Sequence, residues 1–183
     1  MNRQEAALVQ LARVLDAAGL PYMVIGGMAN AVWGVPRATL DVDATVWTDG
    51  DPADTLPVFD GPFRVRPADP RAFLEQTRVL PLETHDGVRL DIIFGLLPFE
   101  EEAIYRAVFR NVAGVPIRFC TAEDLVLLKL VSMRPRDRED VRGILRTCRE
   151  TLDRAYLDPR VDELADLLAR PGIRDDYRRG LQE

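Results

Sequence analysis

A chain of 183 residues that is 47% hydrophobic and 30% charged, with a net charge of −6, has the composition of a globular protein and not of a disordered one. Folding at this length buries about 70% of the unfolded surface, enough for one core and an appended subdomain. The acidic balance argues against nonspecific coating of nucleic acid, which draws on summed positive charge. No apolar run reaches the ~20 residues of a membrane helix, and the opening MNRQEAALVQ holds no signal-peptide stretch, so a cytoplasmic protein with no membrane partner is expected. One histidine, His85, and two distant cysteines, Cys120 and Cys148, exclude zinc-ligand spacings and multi-histidine chemistry. Any metal must be held by oxygen. Among the 24 basic side chains only Lys129 is a lysine, which makes it conspicuous.

From Asn2 to Ala18, the apolar residues Leu8, Leu11, Ala12, Leu15 and Ala18 recur at spacings of three and four, predicting a helix stopped by Gly19 and Pro21. Tyr22 to Ile25 has strand length, the glycine pair Gly26-Gly27 follows, and MANAVWG predicts a short helix closed by Gly34 and Pro36. Thr39 to Trp47 alternates Leu40, Val42, Ala44 and Val46 against Asp41, Asp43 and Thr45, the period of a strand with one apolar face. The Pro-rich stretch 48–70 predicts mostly loop. A helix is expected over Arg71–Arg78 and a strand over Val79–Glu83, with Asp86-Gly87 as a two-residue hairpin turn into a strand at Val88–Phe94.

Pro98 with three following glutamates opens a helix predicted to run to Phe109. Val115–Cys120 reads as a strand. Thr121 and Asp124 resemble a capping box ahead of the helix EDLVLLKLVSM. One more helix is expected from Asp137 to Arg149, and a last one starting at Asp158-Pro159. The order is mixed α/β first, then all helical. Both cysteines read as core thiols, as do Met23, Met28, Phe94 and Phe119 as core side chains. Trp33 and Trp47 read as core or cleft wall, and His85 as a solvent-side turn residue.

Three carboxylates carry the chemistry. Asp41 and Asp43 lie two apart on a predicted strand, so they project from one face about 6 to 7 Å apart. Two acids on one strand face repel each other, which a divalent cation would relieve; the other reading is the solvated face of an edge strand. Asp91, within VRLDIIFG, is costly to bury unless it binds metal or pairs with an arginine such as Arg89 or Arg37. Gly26-Gly27, between a strand and a helix, offers unobstructed N–H groups to phosphate or is simply a tight turn. It lacks the third glycine of a dinucleotide fingerprint and the Gly-Lys-Ser/Thr of a phosphate loop. Arg138, Arg142, Arg146 and Arg149 stack along one helix face, as an RNA contact or as a solvated stripe.

Taken together, GGMANAVWGVPRATLDVDATV, RLDIIFG and TAEDLVLLKLVSMRPRDREDV, spread over most of residues 5–150, resemble the polymerase-β-like nucleotidyltransferases and, within them, the AbiEii/AbiGii-type toxin nucleotidyltransferases. The resemblance implies an α/β (α+β) nucleotidyltransferase fold: a small mixed sheet flanked by helices over residues 1–120, and a helical segment over 121–183 that closes the cleft. It implies that Gly26 and Gly27 cradle the phosphates of an NTP, that Asp41 and Asp43 bind Mg²⁺, and that Asp91 completes the metal site and helps activate an acceptor hydroxyl. Lys129 would reach the triphosphate, Asp137 would face the same cleft, and Arg37 and Thr39 would support the nucleotide site from behind. Many similar proteins carry Gly-Ser where this chain has Gly26-Gly27, so a phosphate-contacting hydroxyl is missing at position 27.

The expected activity is Mg²⁺-dependent transfer of a nucleoside monophosphate to a hydroxyl. The acceptor implied by the resemblance is a tRNA 3′ end, with the chain acting as a toxin restrained by a cognate antitoxin; a protein side chain or a small molecule such as an aminoglycoside is a variant of the same chemistry. The competing reading is a catalytically silent module that binds nucleotide or a partner protein. A third, in which the acids are structural, predicts no stabilisation by Mg²⁺.

Overall fold

The computed structural model describes residues 1–132 and 134–182. Its contacts divide the chain into two units, Met1–Met28 with Ala38–Cys120 and Ala29–Arg37 with Thr121–Glu183.

The first unit holds a seven-stranded mixed sheet of order β3-β4-β5-β2-β1-β7-β6. Its strands are β1 (Tyr22–Val24), β2 (Asp41–Val46), β3 (Arg64–Val65), β4 (Val79–Glu83), β5 (Arg89–Phe94), β6 (Val108–Val112) and β7 (Val115–Phe119). Helix α1 (Arg3–Ala17) opens it, capped by Asn2 and Glu5 in a reciprocal box, and packs its apolar stripe of Leu8, Leu11, Ala12 and Leu15 against the sheet.

Register in the sheet centre follows from its apolar face. Val42, Ala44 and Val46 of β2 stand beside Leu90, Ile92 and Phe94 of β5, and Leu80 and Leu82 of β4 extend the same row; all are at most 1% exposed. Each such burial stabilises by roughly 1.5–3 kcal/mol for the larger side chains, and a one-residue slip would turn the whole row outward. The register therefore fixes what stands on the opposite face: Asp41, Asp43 and Asp91.

Several sequence expectations are corrected. The Pro-rich stretch is more ordered than expected: a 3-10 turn at Pro52–Thr55 leads into α3 (Leu56–Phe59), then β3, then α4 (Pro70–Thr77), and Phe59 and Phe63 are buried anchors. Between β4 and β5 lie five residues, 84–88, with His85-Asp86-Gly87 at the tip. Gly87 at φ 86° and the bond from Thr84 N–H to the Val88 carbonyl (2.9 Å) mark a turn closed by a bulge in place of a two-residue turn. Helix α5 (Pro98–Arg106) ends early, and Val108–Val112 forms β6, joined to β7 by Ala113-Gly114, both at positive φ.

The second unit contains α6 (Ala122–Ser132), α7 (Pro135–Thr147), α8 (Arg154–Leu167) and α9 (Gly172–Gln182). The expected end of the first of these at Met133 lies outside the described residues. Helix α8 starts at Arg154, capped by Asp153, with Pro159 inside it and not at its start. Helix α9 is absent from the sequence expectation. It supplies partners to the arginine stripe: Arg138 pairs with Asp176 at 3.1 Å, and Arg149 donates to the Leu181 carbonyl at 3.0 Å. Helix α2 (Gly26–Trp33) begins in the first unit and ends in the second. Cys120 and Cys148 are buried thiols, and burial pushes the Cys148 thiol up. Among the described residues, no helix is long and apolar enough to cross a membrane.

Candidate active site

Asp43 on β2 is the direct cross-strand partner of Asp91 on the parallel strand β5, and Asp41 lies two residues before Asp43 on the same face. All three are half-buried. Burial pushes the Asp91 carboxyl above the ordinary aspartate range, and the negative charge of Asp41 adds to the push, while Arg66 and Arg89 oppose it. Neither arginine that the sequence offered as a partner for Asp91 neutralises it directly: Arg37 is bonded to Asp140, and Asp91 makes no ion pair among the described residues. An acid held partly out of water beside another acid is the arrangement that favours proton uptake or a cation.

Gly26 packs against Asp43. Ile25 N–H bonds the Asp43 carbonyl at 3.0 Å, which ends the ladder of β1 and turns the chain into α2. Gly26 adopts φ 62°, and a Cβ there would lie 2.0 Å from Oδ2 of Asp43, so the position admits glycine on both backbone and steric grounds. At Gly27 a Cβ would fall 2.5 Å from the Thr39 hydroxyl oxygen and 2.7 Å from its Cβ. Thr39 thus fills the space that a serine side chain at position 27 would need, and its hydroxyl donates to the Asp41 carbonyl at 3.1 Å. The first N–H groups of α2 have no intrahelical acceptor, which suits them to a phosphate.

These residues fit a magnesium ion by the chemistry of the donor set: three hard carboxylates on adjoining strands, next to the glycine turn that opens α2. Among the described residues, no three His, Cys, Asp or Glu side chains converge to enclose an ion. Mg²⁺ bound to a nucleotide requires only one or two protein carboxylates, with phosphate and water completing its shell, so an open set is compatible with it.

The remaining expected residues form a separate cluster in the second unit. Lys129, 5% exposed, donates to Asp140 at 2.6 Å and Asp137 at 3.3 Å. Arg37 grips Asp140 through two nitrogens, at 2.9 and 3.1 Å, and Asp137 also receives Ser132 and Arg134. Burial alone would push both carboxyls up. For Asp137 the bonds from Ser132 and Arg134 outweigh it, for Asp140 those from Arg37 and Lys129, so both lie below the ordinary range. The structure brings Gly26, Gly27, Thr39, Asp41, Asp43 and Asp91 together in one unit, and Arg37, Lys129 and Asp137 in the other. Asp140, which completes the second cluster, escapes the sequence reading; its one signal there is the spacing of three from Asp137, which puts both on one side of the helix.

No protein-family model matches this chain, and no curated protein matches it by sequence. Solved structures do match by fold. An antigenic nucleotidyltransferase-like protein from Paracoccidioides brasiliensis aligns with a TM-score of 0.55 at 18% identity, covering 96% of this chain and 92% of its own. The antibiotic-resistance factor ANT(2″)-Ia in complex with adenylyl-2″-tobramycin aligns with a TM-score of 0.57 at 18% identity, covering 96% and 99%. The lincosamide antibiotic adenylyltransferase LnuA, bound to lincomycin, aligns with a TM-score of 0.51 at 13% identity over 79% and 96%. The chain has the nucleotidyltransferase fold.

Proposed function

We propose that this chain transfers a nucleoside monophosphate from an NTP to a hydroxyl acceptor, with Mg²⁺ as cofactor. The observation that carries the proposal is the register that sets Asp43 against Asp91, with Asp41 beside them and the Gly26-Gly27 turn packed against Asp43. A chain with no use for these acids would gain by replacing them, since their mutual repulsion offers the sheet nothing. That argument favours an active enzyme over a silent binding module.

In this reading Gly26 and Gly27 receive the phosphates through their N–H groups, and Thr39 closes the corner beside them. Asp41, Asp43 and Asp91 would hold the metal, which supplies neutralisation of phosphate charge when bound. Asp91, whose carboxyl is the more basic for being partly buried, takes the acceptor's proton. The acceptor oxygen bonds to the α-phosphorus as the bond from that phosphorus to the oxygen bridging it to the β-phosphate breaks. Pyrophosphate departs with that electron pair. Lys129 and Asp137 act within their own unit: with Asp140 we read them as the anchor of Arg37.

The test is incubation with Mg²⁺ and each of the four α-labelled NTPs, with tRNA, total protein and small hydroxyl compounds as acceptors, beside an Asp41→Ala/Asp43→Ala variant. Label that the variant fails to transfer supports the reading; nucleotide binding with no transfer under any condition supports the silent module. Label on a tRNA 3′ end would support the toxin role that the sequence resemblance implies, and an antitoxin would then be sought as a protein that abolishes it.

A further inference from the structure

Beside Asp91 the sheet face opens into a cleft of about 490 Å³. Pro81 of β4, part of its wall, is the cross-strand partner of Asp91, so the two stand side by side on the same face. Arg66 bonds the Pro81 carbonyl through its N–H at 3.0 Å, and its charge is felt at Asp91. The far wall comes from α4, where Phe73 is left 37% exposed while its neighbour Leu74 is buried. Ala72 extends the apolar wall, and Gln76 adds an amide that can donate or accept. The whole wall belongs to the segment that connects β2 to β5, the stretch between the Asp-x-Asp strand and the strand of the third acid.

We infer that this cleft seats the acceptor, and that the acceptor is a small neutral or singly anionic hydroxyl compound with a ring or short apolar body. The inference rests on the nucleotidyl-transfer reading and narrows it. The volume suits a small molecule. An aromatic face, an aliphatic wall and one amide recognise a compact amphipathic body, and Arg66, whose pairing to Glu83 at 3.7 Å is longer than a hydrogen bond, accommodates one negative charge. A polycation is disfavoured, because Arg66 repels it and the carboxylate in the wall, Asp69, is engaged in capping α4 through the Ala72 N–H at 3.0 Å. A polynucleotide would call for several cations along its backbone, and the cleft offers one. The transfer is the one described above, with the hydroxyl of the seated compound as the attacking group and Asp91 as proton acceptor.

The experiment uses the full chain, ¹⁵N-labelled, with benzyl alcohol and 4-(hydroxymethyl)benzoate as probes of the class and with tobramycin and total RNA as the contrasting arms. Expected are amide shifts at Ala68, Ala72, Phe73 and Gln76 on adding either ring alcohol, lost in Phe73→Ala and retained in part in Phe73→Leu. Label transfer to the ring alcohols falls at least tenfold in Phe73→Ala, and Arg66→Ala weakens the benzoate more than the neutral alcohol, with the KM for NTP unchanged in both. Absence of those shifts at millimolar probe overturns the inference, as does transfer to RNA or tobramycin that Phe73→Ala leaves intact. Failure of the underlying reading looks different: no shifts around Gly26 and Gly27 on adding Mg²⁺ and NTP, and no label on any acceptor.

Discussion

Asp43 and Asp91 face each other across two parallel strands, held in that register by the apolar row on the opposite side of the sheet. Neither can move away from the other without slipping Val42, Ala44 and Val46 out of the core. The close approach of the acids is therefore built into the sheet, and with the negative charge of Asp41 beside Asp91 it disposes the site toward a cation or a proton.

Asp91→Asn tests the proton-accepting role. Transfer is expected to fall by about 10²- to 10⁴-fold, the usual worth of a positioned base. Stability without Mg²⁺ should hold or rise, since a neutral side chain replaces a partly desolvated charge. A loss of activity accompanied by an equal loss of fold, read by urea titration, would place Asp91 in structure instead.

Gly26→Ala should destabilise the first unit by about 1–3 kcal/mol from backbone strain alone, with the collision against Asp43 added. Pairing it with Asp43→Ala removes the collisions with Oδ2 and Cγ and leaves the strain and the 2.9 Å approach to the remaining Cβ. A double-mutant cycle by chemical denaturation should then show a coupling of about 0.5–3 kcal/mol, and strictly additive effects would contradict the close approach of the two residues.

Lys129→Met breaks a buried ion network at its centre, leaving Asp137 and Asp140 short of a cation. The expected cost is about 3–5 kcal/mol in unfolding free energy. Loss of NTP binding with no change in stability would instead return Lys129 to the triphosphate role that the resemblance implies.

Acid should unfold the protein through the same network. The lowered carboxyl values of Asp137 and Asp140 contribute stability that is whole above about pH 4, and that drains as the pH falls through those values. Asp91 acts in the opposite sense. Its raised value means that its charge costs stability at neutral pH, a cost relieved on acidification. Denaturation midpoints followed from about pH 7 to pH 3 should therefore drop at the acid end, and Asp140→Asn, already destabilised, should show a shallower drop.

The carboxylate face was legible in the sequence because strand period two is short-range: Asp41, Asp43 and Asp91 each declare their face by their neighbours. Pairing β2 with β5 was not legible, because register between strands separated by a long connection depends on the complementary apolar row. Strand β6 was hidden because PFEEEAIYRAVF continues a helical composition past Arg106, and the turn that ends the hairpin places an alanine, Ala113, at φ 50°, where glycine or asparagine is the usual signal. Helix α9 is rich in Arg and Asp, yet Ile173, Tyr177 and Leu181 recur at the helical spacing of four, a signal the sequence reading passed over. The bond between Arg37 and Asp140 spans too much chain for any local pattern to announce it.

Residues 29–37 belong to the helical unit although the chain on either side of them belongs to the sheet. Asn30 and Gly34 are buried there, a Cβ on Gly34 would press Ile144, and a Cβ on Gly143 would press Val35, so the segment lies hard against α7. During synthesis this piece leaves the ribosome long before α6 and α7 exist to receive it, and Arg37 must wait for Asp140. A fragment beginning at residue 121 would lack the segment altogether. The second unit is thus assembled from an early and a much later stretch of chain, and it can close only after the sheet's last strand has been made.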